Sequence, residues 1–190
     1  MLQAPYNDIS RITRFDETLT GIVDLNLSKN PIAAWSDILW LSSLLPNLKT
    51  LAINECLITN IEFPKEYTAN TKDVGVERSV SWFPSLTMLQ LSCCNIDNWA
   101  SVEALNVISN LAHIKFKFNP ILEKESQENG RQLTIAAIKS LTYLNGSKIE
   151  KQERRGAEID FLKKYGLEYL SLKASQDSKE IDIFCNNHPR

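Results

Sequence analysis

A chain of 190 residues with 43% hydrophobic content is long enough to bury one sizeable core, and a single domain is expected. A formal charge of -2 and a pI near 5.8 argue against nucleic acid or an anionic membrane as a bulk partner. Residues 1–11 lack the apolar run of a secretory leader, and no stretch approaches the roughly 18 apolar residues of a membrane span, so a cytoplasmic chain is expected.

Residues 1–20 carry only a weak apolar pattern, Ile9, Ile12, Phe15 and Leu19, and read as an N-terminal flank or a degenerate repeat. From Ile22 a frame recurs. A first aliphatic residue is followed by others three, five and ten positions later, with Asn or Cys at the eighth. The copies start at Ile22, Leu48, Leu86 and Leu111, and their slot residues are Asn30, Cys56, Cys94 and Asn119. A truncated fifth copy runs from Leu141 to Leu144. This is the leucine-rich-repeat frame, and it predicts an α/β solenoid. Short parallel strands line its concave face, helices or 3-10 turns its convex face, and a C-terminal helix caps it. The expected divisions are 1–20, repeats over 21–145, a cap helix over 146–170 and a tail or linker over 171–190.

The slot also accounts for two of the four cysteines. A small buried thiol at Cys56 or Cys94 can donate weakly to a loop carbonyl, and the side-chain amides of Asn30 and Asn119 can satisfy loop backbone groups. The thiols, Cys93 and Cys185 included, therefore fit a reducing cytosol better than a disulfide framework. Repeat starts are 26, 38, 25 and 30 residues apart. The long step places a polar insertion over 62–82, in a loop.

Between strands, Ser36 is placed to cap a helix that Pro46 ends, and residues 101–108 form a similar segment. Trp35 and Trp99 share one offset within their repeats and are expected in the core. After the repeats, residues 149–165 read as an amphipathic helix with Ala157, Phe161 and Leu162 on its apolar face and Gly166 as its C′ residue. Because the last coil of a solenoid exposes core, this helix is the expected cap. The tail from Ser171 reads as extended or disordered, and both ends look cut from a longer array.

The sequence offers no catalytic constellation. His113 and His188 have no ligand-like neighbours, and the six glycines are scattered, so no cofactor, metal or enzymatic activity is expected. Alternation instead exposes a set of concave residues: Asp24, Asn26 and Ser28; Thr50, Ala52 and Asn54; Met88, Gln90 and Ser92; His113, Lys115 and Lys117; Tyr143 and Asn145. This face runs from acidic and polar to basic and aromatic. The candidate protein-binding residues are Asp24, Asn26, Met88, Gln90, His113, Lys115, Lys117 and Tyr143. Any one of these alone reads as a solvated strand residue; the set gains meaning by contiguity. Phe118 is either a further contact or packs under its turn.

Several segments together carry a family resemblance. They are Arg131-Gln132-Leu133-Thr134-Ile135-Ala136-Ala137-Ile138, then Leu141-Thr142-Tyr143-Leu144-Asn145, and Glu153-Arg154-Arg155-Gly156-Ala157-Glu158-Ile159-Asp160. Phe83-Pro84-Ser85-Leu86, Ile96-Asp97-Asn98-Trp99 and Asn119-Pro120-Ile121-Leu122 belong to the same pattern, as does the insertion with Phe63-Pro64. They resemble the leucine-rich part of the tubulin-folding cofactor E family, over roughly residues 22–166, and His188-Pro189-Arg190 resembles the start of its following linker. The family also carries a CAP-Gly domain and a ubiquitin-like domain, neither of which this chain has room for. The resemblance thus implies a fragment of cofactor E or of the cofactor E-like protein.

What the resemblance implies is a non-catalytic role. The domain would bind α-tubulin and help join or split the α/β heterodimer, with other tubulin-folding cofactors and an Arf-like GTPase as partners, in the cytoplasm and at the cytoskeleton. Tubulin is strongly acidic, which directs attention to the His113, Lys115 and Lys117 end. Two rival readings are a scaffold or regulatory subunit of a phosphatase or splicing complex, and a structural spacer between domains.

Overall fold

The computed structural model describes residues 1–13, 17–64, 81–175 and 178–187. One aliphatic residue per coil, always at the same point of the frame, aligns every strand on its neighbour. The strands β1 (Leu2–Gln3), β2 (Asp24–Asn26), β3 (Thr50–Ala52), β4 (Met88–Gln90), β5 (His113–Lys115) and β6 (Tyr143–Leu144) lie in sequence order, each parallel to the next. Leu25, Leu51, Leu89, Ile114 and Leu144 stand in one register and are buried. The other frame positions add parallel buried rows, Leu27 with Ile53, Leu91 and Phe116, and Ile32 with Ile58, Ile96 and Ile121. The fold is the leucine-rich-repeat solenoid.

The slot residues hold successive coils together as their chemistry requires. Asn30 donates to the carbonyls of Leu27 and Ala4, both at 2.8 Å, and its Oδ1 accepts from the amides of Asn7 and Ile9, both at 3.0 Å. Asn119 donates to Leu91 at 2.8 Å and accepts from Ile96 at 3.4 Å. The thiols of Cys56 and Cys94 donate to the carbonyls of Leu27 and Ile53, at 3.6 and 3.3 Å. An amide can bridge a donor and an acceptor, whereas a thiol serves one carbonyl weakly. Just before each slot the chain turns sharply, with φ of 61° at Lys29, 55° at Glu55, 58° at Cys93 and 55° at Phe118.

At the amino end, β1 extends the sheet, and Ile9 and Ile12 pack on the core. The amide of Ile12 donates to buried Asp37 at 3.2 Å, and Arg11 pairs with the same carboxylate at 3.6 Å. Phe15 lies outside the described residues.

The helices depart from expectation at their ends. Helix α1 (Trp35–Leu44) starts two residues earlier than predicted and has Ala34 at its N-cap, so Ser36 lies inside it and caps nothing. In the third full repeat the cap is Asn98, whose side chain accepts from the Ser101 amide at 2.9 Å and starts α2 (Trp99–Ala104); a 3-10 turn (Leu105–Val107) follows. Trp35 and Trp99 are both buried, as their shared offset predicts. Most of the 62–82 insertion lies outside the described residues. Its flanks are pinned: Phe63 sits between Trp35 and Trp82, at 5.9 and 6.1 Å. The hydroxyls of Ser101 and Ser42 accept from the amides of Ile61 and Phe83.

Two helices in the last repeat are absent from the sequence reading. Helix α3 (Pro120–Glu123) is a single turn, and α4 (Gln127–Ala137) is capped by Ser126, which accepts from the Asn129 amide at 3.1 Å. A hairpin then joins β6 to the antiparallel β7 (Ser147–Lys148), through Asn145 (φ 55°) and Gly146 (φ 85°). Positive φ at both loop positions is the conformation that Asn-Gly favours.

Helix α5 (Lys151–Ser175) caps the array. Arg154 donates to the carbonyls of Ile135 at 2.9 Å and Leu141 at 2.7 Å, and Arg131 grips Glu153 at 2.6 and 3.0 Å. These hydrogen bonds from Arg131 hold the Glu153 carboxyl below the usual range. Two expectations are corrected. Gly166 is not a terminator, because the helix continues through it while Tyr165, Tyr169 and Leu172 keep an inner face packed. Leu162 is 63% exposed, turned away from buried Ala157 and partly buried Phe161. Nor is the segment after Ser171 extended: it completes α5 and forms α6 (Ser178–Asn187), whose buried Phe184 packs against Tyr165 and Tyr169 at 6.4 and 5.8 Å. Residues 188–190 lie outside the described residues.

Candidate functional site

Register converts the frame into rows on the concave face. Asp24, Thr50, Met88, His113 and Tyr143 form one row; Asn26, Ala52, Gln90 and Lys115 form the next. Ser28, Asn54, Ser92 and Lys117 follow just beyond the strands. Ala52 and Ser28 are buried, at 7% and 9%, and so offer little surface.

The middle of this face is a closed polar net. Asn54 donates to Gln90 and Ser28, both at 3.3 Å, and its Oδ1 accepts from the Ser92 amide at 2.9 Å. Asn26 donates to Gln3 at 2.8 Å, and Gln90 reaches the sulfur of Met88 at 3.7 Å. These groups already have partners, so they stiffen the surface and offer limited spare hydrogen bonding. Asn145 belongs to the scaffold as well, since its Oδ1 accepts from the Phe116 amide at 2.8 Å.

The β5–β6 end is different. His113 and Tyr143 stack at 4.5 Å between centroids with 12° between planes, forming a flat aromatic plate. Lys115 and Lys117 are exposed beside it, and among the described residues neither has an acidic partner within ion-pair distance. Lys148, which sequence reasoning missed, stands opposite Tyr143 across the hairpin, with its ammonium 3.0 Å from Glu150. That hydrogen bond raises the Lys148 pKa. The Asn145-Gly146 pair was the available signal for it. Asp24 lies at the opposite end of its row, so the structure gathers His113, Lys115, Lys117 and Tyr143 into one patch and leaves Asp24 and Asn26 outside it.

A second surface row was also hidden in the sequence. The positive-φ residues line up coil by coil, and Lys29 donates to the Tyr6 hydroxyl, lies 4.6 Å from that ring's centroid and pairs with Glu55 at 3.4 Å. Phe118 ends this row 74% exposed, which decides between its two readings: it does not pack under its turn.

Among the described residues no group of His, Cys, Asp and Glu could hold a metal ion, and no helix is long and apolar enough to cross a membrane. The arrangement is suited to recognising a surface by charge and flat aromatic contact.

No protein-family model matches the chain. Over 97% of its length it is 32% identical to tubulin-specific chaperone E of Xenopus laevis, of which it covers 34%. It is 31% identical, again over 97% of its length, to tubulin-folding cofactor E of Arabidopsis thaliana, of which it covers 33%. The chain thus spans about a third of the length of the curated relatives it matches. Among solved structures it is similar to a chain of the Drosophila melanogaster SNF/U2A' complex, with a TM-score of 0.64 and 22% identity, over 89% of this chain and 86% of that one. At that identity the likeness shows a shared fold.

Proposed function

The chain is related along nearly its whole length to tubulin-specific chaperone E, and from that premise we propose that it serves tubulin folding as a non-catalytic binding platform. Its partner in this reading is α-tubulin, held on the concave face. The platform helps join or split the α/β heterodimer together with other tubulin-folding cofactors and an Arf-like GTPase. It works in the cytoplasm, at the cytoskeleton, and any nucleotide hydrolysed belongs to tubulin or the GTPase.

The observation that carries this reading is the unpaired basic and aromatic patch at the β5–β6 end. Two lysines that have no acidic partner among the described residues, with a stacked His113–Tyr143 plate, complement an acidic surface. Met88 adds apolar area next to His113, while Gln90, Asn26 and Asp24 extend the footprint toward the amino end. Capture of α-tubulin by the chain should fall on the order of tenfold in the double variant Lys115→Glu, Lys117→Glu, because both charges lie at a contact edge where reversal replaces attraction by repulsion. Equal capture by the variant would dismiss the basic patch as the contact.

A further inference from the structure

Helix α5 carries apolar residues on two sides, and among the described residues only one of them is covered. Its inner face packs Ala157, Phe161, Tyr165, Tyr169 and Leu172 against the array and α6. Its outer face leaves Ile159, Leu162, Leu167 and Leu170 exposed at 39%, 63%, 81% and 62%. That is on the order of 500 Å² of apolar surface, the size at which a patch on a monomer marks an interaction site.

We infer that this outer face pairs two copies of the chain, with their α5 helices antiparallel about a two-fold axis at the level of Lys164 and Tyr165. The argument is the symmetry of the sequence on that face. In an antiparallel pair centred there, Ile159 meets Leu170 of the other copy, Leu162 meets Leu167, and Lys163 meets Gly166. Each of the four large exposed apolar residues of the helix thus finds an apolar partner, as a self-complementary interface requires. The side chains four apart also form two ridges, one through Ile159, Lys163 and Leu167 and one through Leu162, Gly166 and Leu170. The two-fold sets each ridge alongside the other one of the partner copy, so that the side chains of one helix seat in the groove between the ridges of the other.

Charge and size agree with this pairing. The cations flanking the stripe fall opposite small residues of the other copy, Arg155 opposite Ala174 and Lys173 opposite Gly156. Lys163 has its own Asp160 at 3.8 Å, which moderates its charge at the crossing point. At Gly166 the only atoms near an added Cβ belong to its own Leu162, at 3.8 Å or beyond, so the stem of a facing lysine has room to lie across it. Two patches of this size bury on the order of 1,000 Å² together, the lower limit for a specific interface, so the dimer is weak, with a Kd of roughly 10–100 µM.

Sedimentation of the full chain from about 5 µM to 1 mM should show the mass rising from 21.6 kDa toward twice that value. Added salt should strengthen the association, since it screens three cations per copy; an acidic partner helix on this face would instead be released by salt. The variant Leu162→Glu, Leu170→Glu should stay at the single-chain mass throughout with unchanged circular dichroism, because both positions are exposed. For orientation, a Lys163→Cys chain mixed with a Gly166→Cys chain, both carrying Cys93→Ser, should give a disulfide between those two positions. A wild-type chain that remains monomeric to 1 mM overturns the proposal and leaves the face to a different protein. Equal dimerisation of the glutamate variant overturns it too, by placing the contact elsewhere.

Discussion

Within the repeat slot the choice between Asn and Cys decides how many neighbours are tied. Asn30 joins five backbone groups from two coils, and buried Cys94 serves chiefly one carbonyl. Burial pushes the Cys56 thiol up and the Cys94 thiol up to about 12. A raised thiol pKa means that the folded state disfavours the thiolate. The stability it contributes is complete below the ordinary thiol value, near 9, and is lost as pH rises from there toward about 12. The neighbouring Cys93 is exposed at its positive-φ turn. Brief iodoacetamide treatment at pH 8, read by peptide mass spectrometry, should therefore modify Cys93 and spare Cys94 and Cys56 until the chain is unfolded. Raising the pH to 10 should leave Cys94 protected while folded. Comparable early labelling of Cys93 and Cys94 would show that the slot is open. This much was legible from residue spacing, because the slot recurs in every full copy. The αL turn before it was not, since Lys, Glu, Cys and Phe share no preference for positive φ.

The elements of the repeats were legible for the same reason: one aliphatic position per coil fixes strand, register and core row at once. The cap was legible in position and misread in length. Gly166 looks like a terminator, but a glycine in a helix costs only about 1 kcal/mol, and packing of Tyr165 and Tyr169 on Phe184 outweighs it. Periodicity places Leu162 inward because α5 is apolar on two sides, and it alone does not say which side meets the array. Helix α4 escaped notice because its first turns, Gln127 to Gln132, are polar or glycine. What fixes α5 to α4 is arginine. Arg154 is a quarter exposed or less and serves carbonyls at the end of α4 and at Leu141, while its ion pair with half-exposed Glu158 at 3.6 Å contributes little. Replacing Arg154 by Ala should cost about 2–4 kcal/mol, as several charge-assisted bonds are lost and their carbonyls orphaned. Chemical denaturation should show the loss, and Arg154→Lys should recover less than half of it, because an ammonium cannot fork between carbonyls set apart. An Ala variant within about 0.5 kcal/mol of the parent would mean that apolar packing alone seats the cap.

Within the described residues the solenoid is covered unequally at its two ends. A repeat array is stabilised coil against coil, so its ends open first, and each end is only as stable as what covers it. The carboxyl end is covered by α5 and α6, with Ala157, Tyr165 and Phe184 buried and two arginines tying α5 to the last coil. The amino end is covered by a strand of two exposed residues and a segment held by Asn30, Asp37 and the half-buried Ile9 and Ile12. The proposed binding patch at β5–β6 therefore sits beside the cap, where a flat, prearranged surface would lose little on binding. Native-state hydrogen exchange should read out this gradient. The amides of Ala4 and Tyr6, bonded to the carbonyls of Asn26 and Ser28, should exchange first. Those of Leu27 and Lys29, bonded to Ala52 and Asn54, should follow, and those of Leu91 and Cys93, bonded to Lys115 and Lys117, should be among the slowest. Substituting Asp37 by Ala removes the acceptor for Ile12 and the partner of Arg11, and should speed the first group several-fold while leaving the last unchanged. Uniform acceleration across all three groups would mean that the array opens as one unit, and the patch would then gain nothing from its place beside the cap.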